Sequence, residues 1–402
     1  MYIYDRKLSG ALSLVEEGPI TSRPAVRGSY YNDGRMSGFG LRGVSSGSYV
    51  LENEGLGESS VIEPFAPKAY GPRMIFDANR TKDLTDAIRA VKRTLSLKDQ
   101  QRLEKVAFTI AKLGTGENPV KYAGEKEKDM LFSASLLKVT LLYASFELRS
   151  RLNKLAPSIA WDWKPFRAAV ASAVPSIPAG PWREMNIYGL LAITATSDSG
   201  VLSFDLQPKH RADLTSIFSD QLQDLAARAC MRRLGYSYVN GALAAAGFFA
   251  PKTKKGIWYA NDLGGGWPQF HVPVATKGKS SAATTALALA NLLTAMHRGT
   301  LIDQTSSREM MGIMSKGASW LTIPAVAKKA GSLSFTTKGA KVGHHASGDA
   351  KVSSVKSEGV FLDRRGVPFV AVWQNYPDAS PDLVSDVSNI YRVIDEVVKK
   401  WP

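Results

Sequence analysis

Phe132-Ser133-Ala134-Ser135-Leu136-Leu137-Lys138-Val139 carries the most informative pattern of this chain. It opens an almost wholly apolar run over 134–149, which includes Leu136, Leu137, Val139, Leu141, Leu142, Ala144 and Phe146. A helix that is apolar nearly all round is buried in the middle of a domain. At its head stand a serine and, three residues on, a lysine, which share a helix face. A serine hydroxyl becomes a nucleophile when a base takes its proton. Burial lowers a lysine's pKa until the amine serves as that base. The helix start adds free N–H groups and a positive field for a developing oxyanion. The same spacing recurs at Ser353–Lys356, which reads as strand or loop; only Ser135 opens a buried helix.

The flanks read outward from this helix. Upstream, residues 82–103 read as one helix with Leu84, Ile88, Val91 and Leu95 on its apolar face. Val106 to Leu113 reads as a strand, followed by a turn at Gly114–Gly116. Helical patterns return at 211–234 and 281–298. Val352–Leu362 and Pro368–Trp373 read as two strands joined by the turn Asp363-Arg364-Arg365-Gly366. A last amphipathic helix covers 381–400, with Leu383, Val387, Ile390, Ile394 and Val397 on one face. Strands thus lie at both ends of the main domain, and helices fill its middle. Residues 1–75 are rich in Gly, Ser and Tyr and lack a helical period, and read as an irregular extension with short hairpins.

Phe132-x-x-Ser135-x-x-Lys138 on a buried helix resembles the class A β-lactamase and penicillin-binding transpeptidase superfamily. Two further motifs of that superfamily have counterparts here. Ser219-Asp220-Gln221 resembles the family's Ser-Asp-Asn, and Lys341-Val342-Gly343 its Lys-Thr-Gly. The resemblance implies an α+β fold: an antiparallel five-stranded sheet flanked by helices, plus a mostly helical subdomain over about 140–325 within a domain at 76–402. It implies a serine hydrolase or acyltransferase acting on an amide, peptide or ester. Ser135 would be the acylated nucleophile, Lys138 its base and Ser219 a proton relay between Lys138, Lys341 and the leaving group. Gln221 would hold a substrate amide and Lys341 a substrate carboxylate. The N–H groups of Ser135 and His344, the latter following Gly343, would form the oxyanion hole.

Three departures bear on activity. Gln221 replaces the usual Asn, and Val342 replaces a hydroxyl residue. No Glu lies between Glu184 and Glu309, so the deacylating Glu of class A enzymes is missing, and Asp262 is the only acid near its place. The expected enzyme is therefore not an efficient β-lactamase. The alternative is a non-catalytic binding or scaffold protein that keeps the fold. Rival motifs are Tyr238-Val239-Asn240, which mimics the Tyr-x-Asn of class C relatives, and Ser197-Asp198-Ser199. Gly43-Val44-Ser45-Ser46-Gly47 fits a nucleophile elbow without its strand and helix, and Gly38-Phe39-Gly40-Leu41-Arg42-Gly43 fits a dinucleotide fingerprint without its helix.

Composition bounds the rest. The chain has 402 residues, 44% hydrophobic and 22% charged, enough for a sizeable core. One cysteine excludes an intramolecular disulfide framework, and five histidines leave little for a metal centre, so no cofactor and no metal are expected. His344-His345 reads as a surface or strand pair. The net charge of +15 favours anionic partners, so the expected substrate is a small anionic molecule or peptide. The basic residues are scattered and no nucleic-acid motif is present, so no nucleic-acid partner is expected. Apolar runs are too short for a transmembrane helix. The start, Met1-Tyr2-Ile3-Tyr4-Asp5-Arg6-Lys7, lacks a secretory pattern, which gives a cytoplasmic expectation by default.

Overall fold

A computed structural model describes residues 82–113, 120–155, 192–198, 201–219, 223–250, 255–260, 282–345, 355–375 and 382–401, with four short strands upstream. Those strands form two antiparallel hairpins: β1 (Tyr2–Asp5) with β2 (Ser13–Glu16), and β3 (Leu41–Gly43) with β4 (Tyr49–Leu51). The expected glycine-loop motifs at 38–40 and 44–47 lie outside the described residues, as do the turn at Gly114–Gly116, Gln221 and Asp262.

The remaining elements follow in order. Helices α1 (Lys82–Arg93) and α2 (Leu97–Leu103) precede strands β5 (Val106–Lys112) and β6 (Tyr122–Glu125). Strand β7 (Leu131–Phe132) leads through a 3₁₀ turn (Ala134–Lys138) into α3 (Val139–Leu155). The hairpin β8 (Ile193–Asp198) and β9 (Val201–Leu206) is followed by α4 (Pro208–Ser219), α5 (Gln223–Leu234) and α6 (Tyr236–Ala245). Then come β10 (Phe249–Ala250), β11 (Lys255–Tyr259), β12 (Ala282–Thr284), α7 (Ala286–Arg298), α8 (Gln304–Met314) and α9 (Pro324–Ala330). Strands β13 (Thr336–His345), β14 (Val355–Arg364) and β15 (Val367–Asn375) and helix α10 (Leu383–Lys400) complete the chain.

Five strands pair antiparallel in the order β13-β14-β15-β5-β6, so both ends of the domain build one sheet and β13 is an edge strand. Alternation along β15 serves two cores. Val370 and Val372 join α3 and α7 on one face, while Phe369, Ala371 and Trp373 join α1 and α10 on the other. Burying each large apolar side chain stabilises the fold by roughly 1.5–3 kcal/mol, so the sheet is held from both sides. This is the expected α+β architecture of a five-stranded antiparallel sheet flanked by helices. Among the described residues, no helix is long and apolar enough to cross a membrane.

Several boundaries differ from the sequence reading, each for a local reason. The single helix expected over 82–103 is two. Thr94 Oγ1 donates back to the Val91 carbonyl at 2.8 Å, and Ser96 caps α2 by accepting from the Asp99 N–H at 3.2 Å. The pattern over 211–234 likewise divides into α4 and α5, and 281–298 divides into β12 and α7. The β14–β15 turn is the two-residue loop Arg365-Gly366, both at positive φ (54° and 82°), the geometry of a type I′ hairpin.

Candidate active site

The segment that carries Ser135 is anchored before it turns. In β7, Phe132 pairs with Ala283 of β12, and the Ser133 N–H donates to the Ala282 carbonyl at 3.4 Å. Ser133 is buried, its hydroxyl donating to the Leu131 carbonyl at 3.0 Å. Its own carbonyl accepts from Leu136 N–H at 3.2 Å and from the Ser357 hydroxyl of β14 at 2.7 Å. Ala134 then takes φ 49°, a left-handed conformation that side-chain-bearing residues seldom adopt. Such strain persists only where surrounding contacts over-determine it, and it clusters at functional sites. Ser135, half-buried, follows directly.

Residues 134–138 are 3₁₀ rather than α-helical. Three residues per turn eclipse positions i and i+3. Ser135 and Lys138 therefore stand one above the other, more directly than α geometry would allow. The Lys138 side chain is fully buried, and its ammonium donates to Asp224 Oδ1 in a close ion pair. Burial pulls the lysine below its ordinary pKa, while the Asp224 bond and charge oppose the shift.

Lys341 approaches from β13. It is buried, and its ammonium donates to Gln223 Oε1 at 2.6 Å. Its pKa is lowered to about 7, mainly by burial and next by the Lys138 charge, with Asp224 opposing. Gln223 and Asp224 both sit in the first turn of α5, so one helix start gathers both lysines. The sequence reading missed these two residues. A signal for them existed: they stand one turn ahead of Ala226 and Ala227, which begin the buried face that continues through Cys230, Met231 and Leu234. Asp224 also lies where a helix start favours a carboxylate.

The sequence-predicted residues are thus brought together in part. Lys138 and Lys341 converge on the head of α5, and Ser135 lies in the same turn as Lys138. Ser219 does not join them: it is exposed at the end of α4, with its hydroxyl donating to the Thr215 carbonyl at 3.0 Å. The lysines are held instead by Gln223 and Asp224. Gly343 has no room for a side chain. A Cβ there would lie 2.3 Å from Ser357 Oγ and 2.4 Å from the Ser133 carbonyl oxygen. Its bareness lets β13 run against the turn that carries Ser135. His344 is exposed on β13, its ring edge-on to Trp320 at 5.9 Å, while His345 meets Phe132 at 5.7 Å. Burial, then the Lys356 and His345 charges, lower His344's pKa.

The rival motifs have structural roles. Tyr238 is buried and donates to the Ala144 carbonyl at 3.1 Å. Asn240 bridges α6 to β11, donating to the Tyr259 carbonyl at 2.8 Å and accepting the Tyr259 N–H at 2.9 Å. Lys356, of the second Ser-x-x-Lys, is buried on β14 and paired with Asp386 at 2.9 Å. Ser197 and Asp198 end strand β8.

A model of the Beta-lactamase enzyme family matches residues 189–390, which takes in Gln223, Asp224 and Lys341 and begins beyond Ser135 and Lys138. No curated protein matches the chain. Solved structures similar to it include a class A β-lactamase from Bacteroides cellulosilyticus DSM 14838, at 12% identity over 79% of this chain and 99% of that one, with a TM-score of 0.48. L2 complexed with relebactam is similar at 13% identity over 78% and 99% of the two chains, with a TM-score of 0.47. A β-lactamase from Sphaerobacter thermophilus DSM 20745 is similar at 15% identity over 79% and 95%, with a TM-score of 0.44.

Proposed function

The chain belongs to the β-lactamase enzyme family, and from that premise we propose that it is a serine hydrolase or acyltransferase working through an acyl-enzyme on Ser135. The observation that carries this reading is the placement of Ser135, behind a strained Ala134, in one 3₁₀ turn with a fully buried Lys138. The substrate would be an amide, peptide or ester.

Each group has a part in the step. Once Lys138 has given up its extra proton, a loss that its burial favours, Ser135 Oγ attacks the acyl carbon and the lysine amine takes the serine proton. Asp224 holds the ammonium that forms, in place of a relay through Ser219. The N–H groups of Ser135 and His344 face the carbonyl oxygen as charge develops on it. Lys138 then returns the proton to the departing oxygen or nitrogen, and Ser135 keeps the acyl group. No Glu lies between Glu184 and Glu309 to activate the deacylating water, so the acyl-enzyme is long-lived and β-lactam turnover slow.

Intact-mass spectrometry after incubation with a fluorophosphonate and, separately, a penicillin tests this. The expected result is a stoichiometric adduct on Ser135, absent from Ser135→Ala, with a persistent penicilloyl species. Failure of both reagents to label Ser135, with hydrolysis of simple esters unchanged in Ser135→Ala, would overturn it in favour of a binding protein that keeps the fold.

A further inference from the structure

On the acyl-enzyme reading above, we propose that this site takes a substrate whose acyl part carries a positive charge, recognised by the carboxylate of Asp224. The sign of the charge that a ligand meets is set by exposure. The Lys138 side chain is 0% exposed and that of Asp224 is 64% exposed, so within this ion pair the cation is sealed and the anion faces outward. Lys341, the residue expected to draw a substrate carboxylate, is 3% exposed, and its ammonium is already engaged by Gln223. At neutral pH its charge is only partial, because its pKa is lowered to about 7.

Two neighbours strengthen this polarity. Val342 stands where a hydroxyl would help bind a carboxylate, and it packs against the apolar core beneath the sheet. His344, exposed on the same strand, is biased toward its neutral form by burial and by the Lys356 and His345 charges. Asp224 bonds Lys138, which lies in the same 3₁₀ turn as Ser135, so its exposed carboxylate is one ion pair removed from that turn. A carboxylate there pairs with an ammonium or guanidinium and repels a second carboxylate. The net charge of +15 acts over longer range and steers anions to the whole surface. At about 0.15 M salt that field is screened within about 8 Å, and the local carboxylate decides. The anionic substrate expected from net charge and from Lys341 thus gives way to a cationic acyl donor, such as an amine-bearing ester, amide or peptide.

Three p-nitrophenyl esters of matched length test this: hexanoate, ε-aminohexanoate and monoadipate. The readouts, at about 0.15 M salt, are the rate of adduct formation on Ser135 by intact mass and kcat/KM from nitrophenol release. The expected order is aminohexanoate over hexanoate over adipate, with about a tenfold or greater span between the charged pair. Asp224→Asn should collapse or invert that ratio, read within the variant against hexanoate. Asp224→Glu, which restores the charge, should keep it. A wild-type preference for adipate, or a ratio that Asp224→Asn leaves intact, would overturn the cationic assignment while leaving the acyl-enzyme standing. If none of the three esters forms a Ser135 adduct, the acyl-enzyme reading itself falls, and the substrate assignment with it.

Discussion

Gly343 and Ser133 approach so closely that a Cβ on the glycine would lie 2.4 Å from the Ser133 carbonyl oxygen and 2.9 Å from the Leu136 nitrogen. Neither obstacle is a flexible side-chain end, so β13 and the nucleophile turn are in backbone-to-backbone contact. Gly343→Ala must therefore push the strand off the turn. Overpacking of this kind typically costs about 1–3 kcal/mol of stability. Displacing an oxyanion donor costs about a hundredfold or more in rate. We expect Ser135 labelling by a fluorophosphonate to slow by about that factor while the variant still unfolds cooperatively in urea. Unslowed labelling would show that β13 contributes nothing to the site.

Glu358 places a pH dependence under the same strand. Its register partner on β13 is Val342, and its carboxylate accepts from Trp320 N–H at 3.2 Å, Trp373 Nε1–H at 3.1 Å and the Tyr391 hydroxyl. Burial pushes its pKa up to about 7, against the opposing pull of those hydrogen bonds. Between about 4.5, the ordinary value, and 7 the folded chain keeps a proton that the unfolded chain has lost. Stability from this group therefore falls as pH rises through that window and levels off above it. The span is about 3 kcal/mol. Urea unfolding at several pH values should show the slope in wild type and its loss in Glu358→Gln. Equal slopes in the two proteins would show that Glu358 titrates normally.

Legibility in the sequence followed the strength of the local pattern. Helix α3 and the β14–β15 hairpin were readable because unbroken apolar runs and an Arg-Gly turn leave few alternatives. Helix α10 was readable from its repeating apolar face. The break at 94–96 was hidden because Leu95 continues the apolar period across a serine cap. The extent of β13 was hidden too: it is an edge strand reading Thr-Thr-Lys-Gly-Ala-Lys-Val-Gly-His-His, with no clean alternation to mark it. At the site, Ser135, Lys138 and Lys341 were legible as motifs. Ser219-Asp220-Gln221 matched a pattern in sequence, yet α4 ends at Ser219 and the lysines meet the next helix start. Only the three-dimensional course of the chain distinguishes those two helix boundaries.

His210 gives a pH effect of opposite sign. It is buried, with Nε2 2.8 Å from Ser145 Oγ. Ser145 spends its own proton on the Leu141 carbonyl at 2.6 Å, so Nε2–H is the donor and the ring is the neutral tautomer. Burial, and then the Arg233 charge, hold the pKa down to about 3. Below about 6.5 the unfolded chain gains a proton that the folded chain refuses, so stability is lost as pH falls toward 3. Between pH 7 and pH 5 the loss is about 2 kcal/mol. His210→Gln should unfold more easily at pH 7 yet show a flatter acid limb in urea. An unchanged acid limb would mean that His210 charges freely in the folded chain.

The second Ser-x-x-Lys lysine should matter to stability and not to chemistry. Lys356 is buried on β14 and paired with Asp386 in the first turn of α10 at 2.9 Å. Arg102 stands 3.6 Å from the same carboxylate, so Asp386 retains one cation when Lys356 is removed. Breaking a buried pair typically costs about 3–5 kcal/mol, and this residual partner puts Lys356→Met at the lower end. The double variant Lys356→Met/Asp386→Leu removes both buried charges together and should recover most of the loss. It leaves Arg102 its contacts with Asp99 and Asp382. Urea midpoints of the single and double variants measure the coupling between the two residues. In both variants Ser135 should still accept a fluorophosphonate. A folded Lys356→Met protein that no longer labels at Ser135 would transfer the lysine's role from the sheet core to the site.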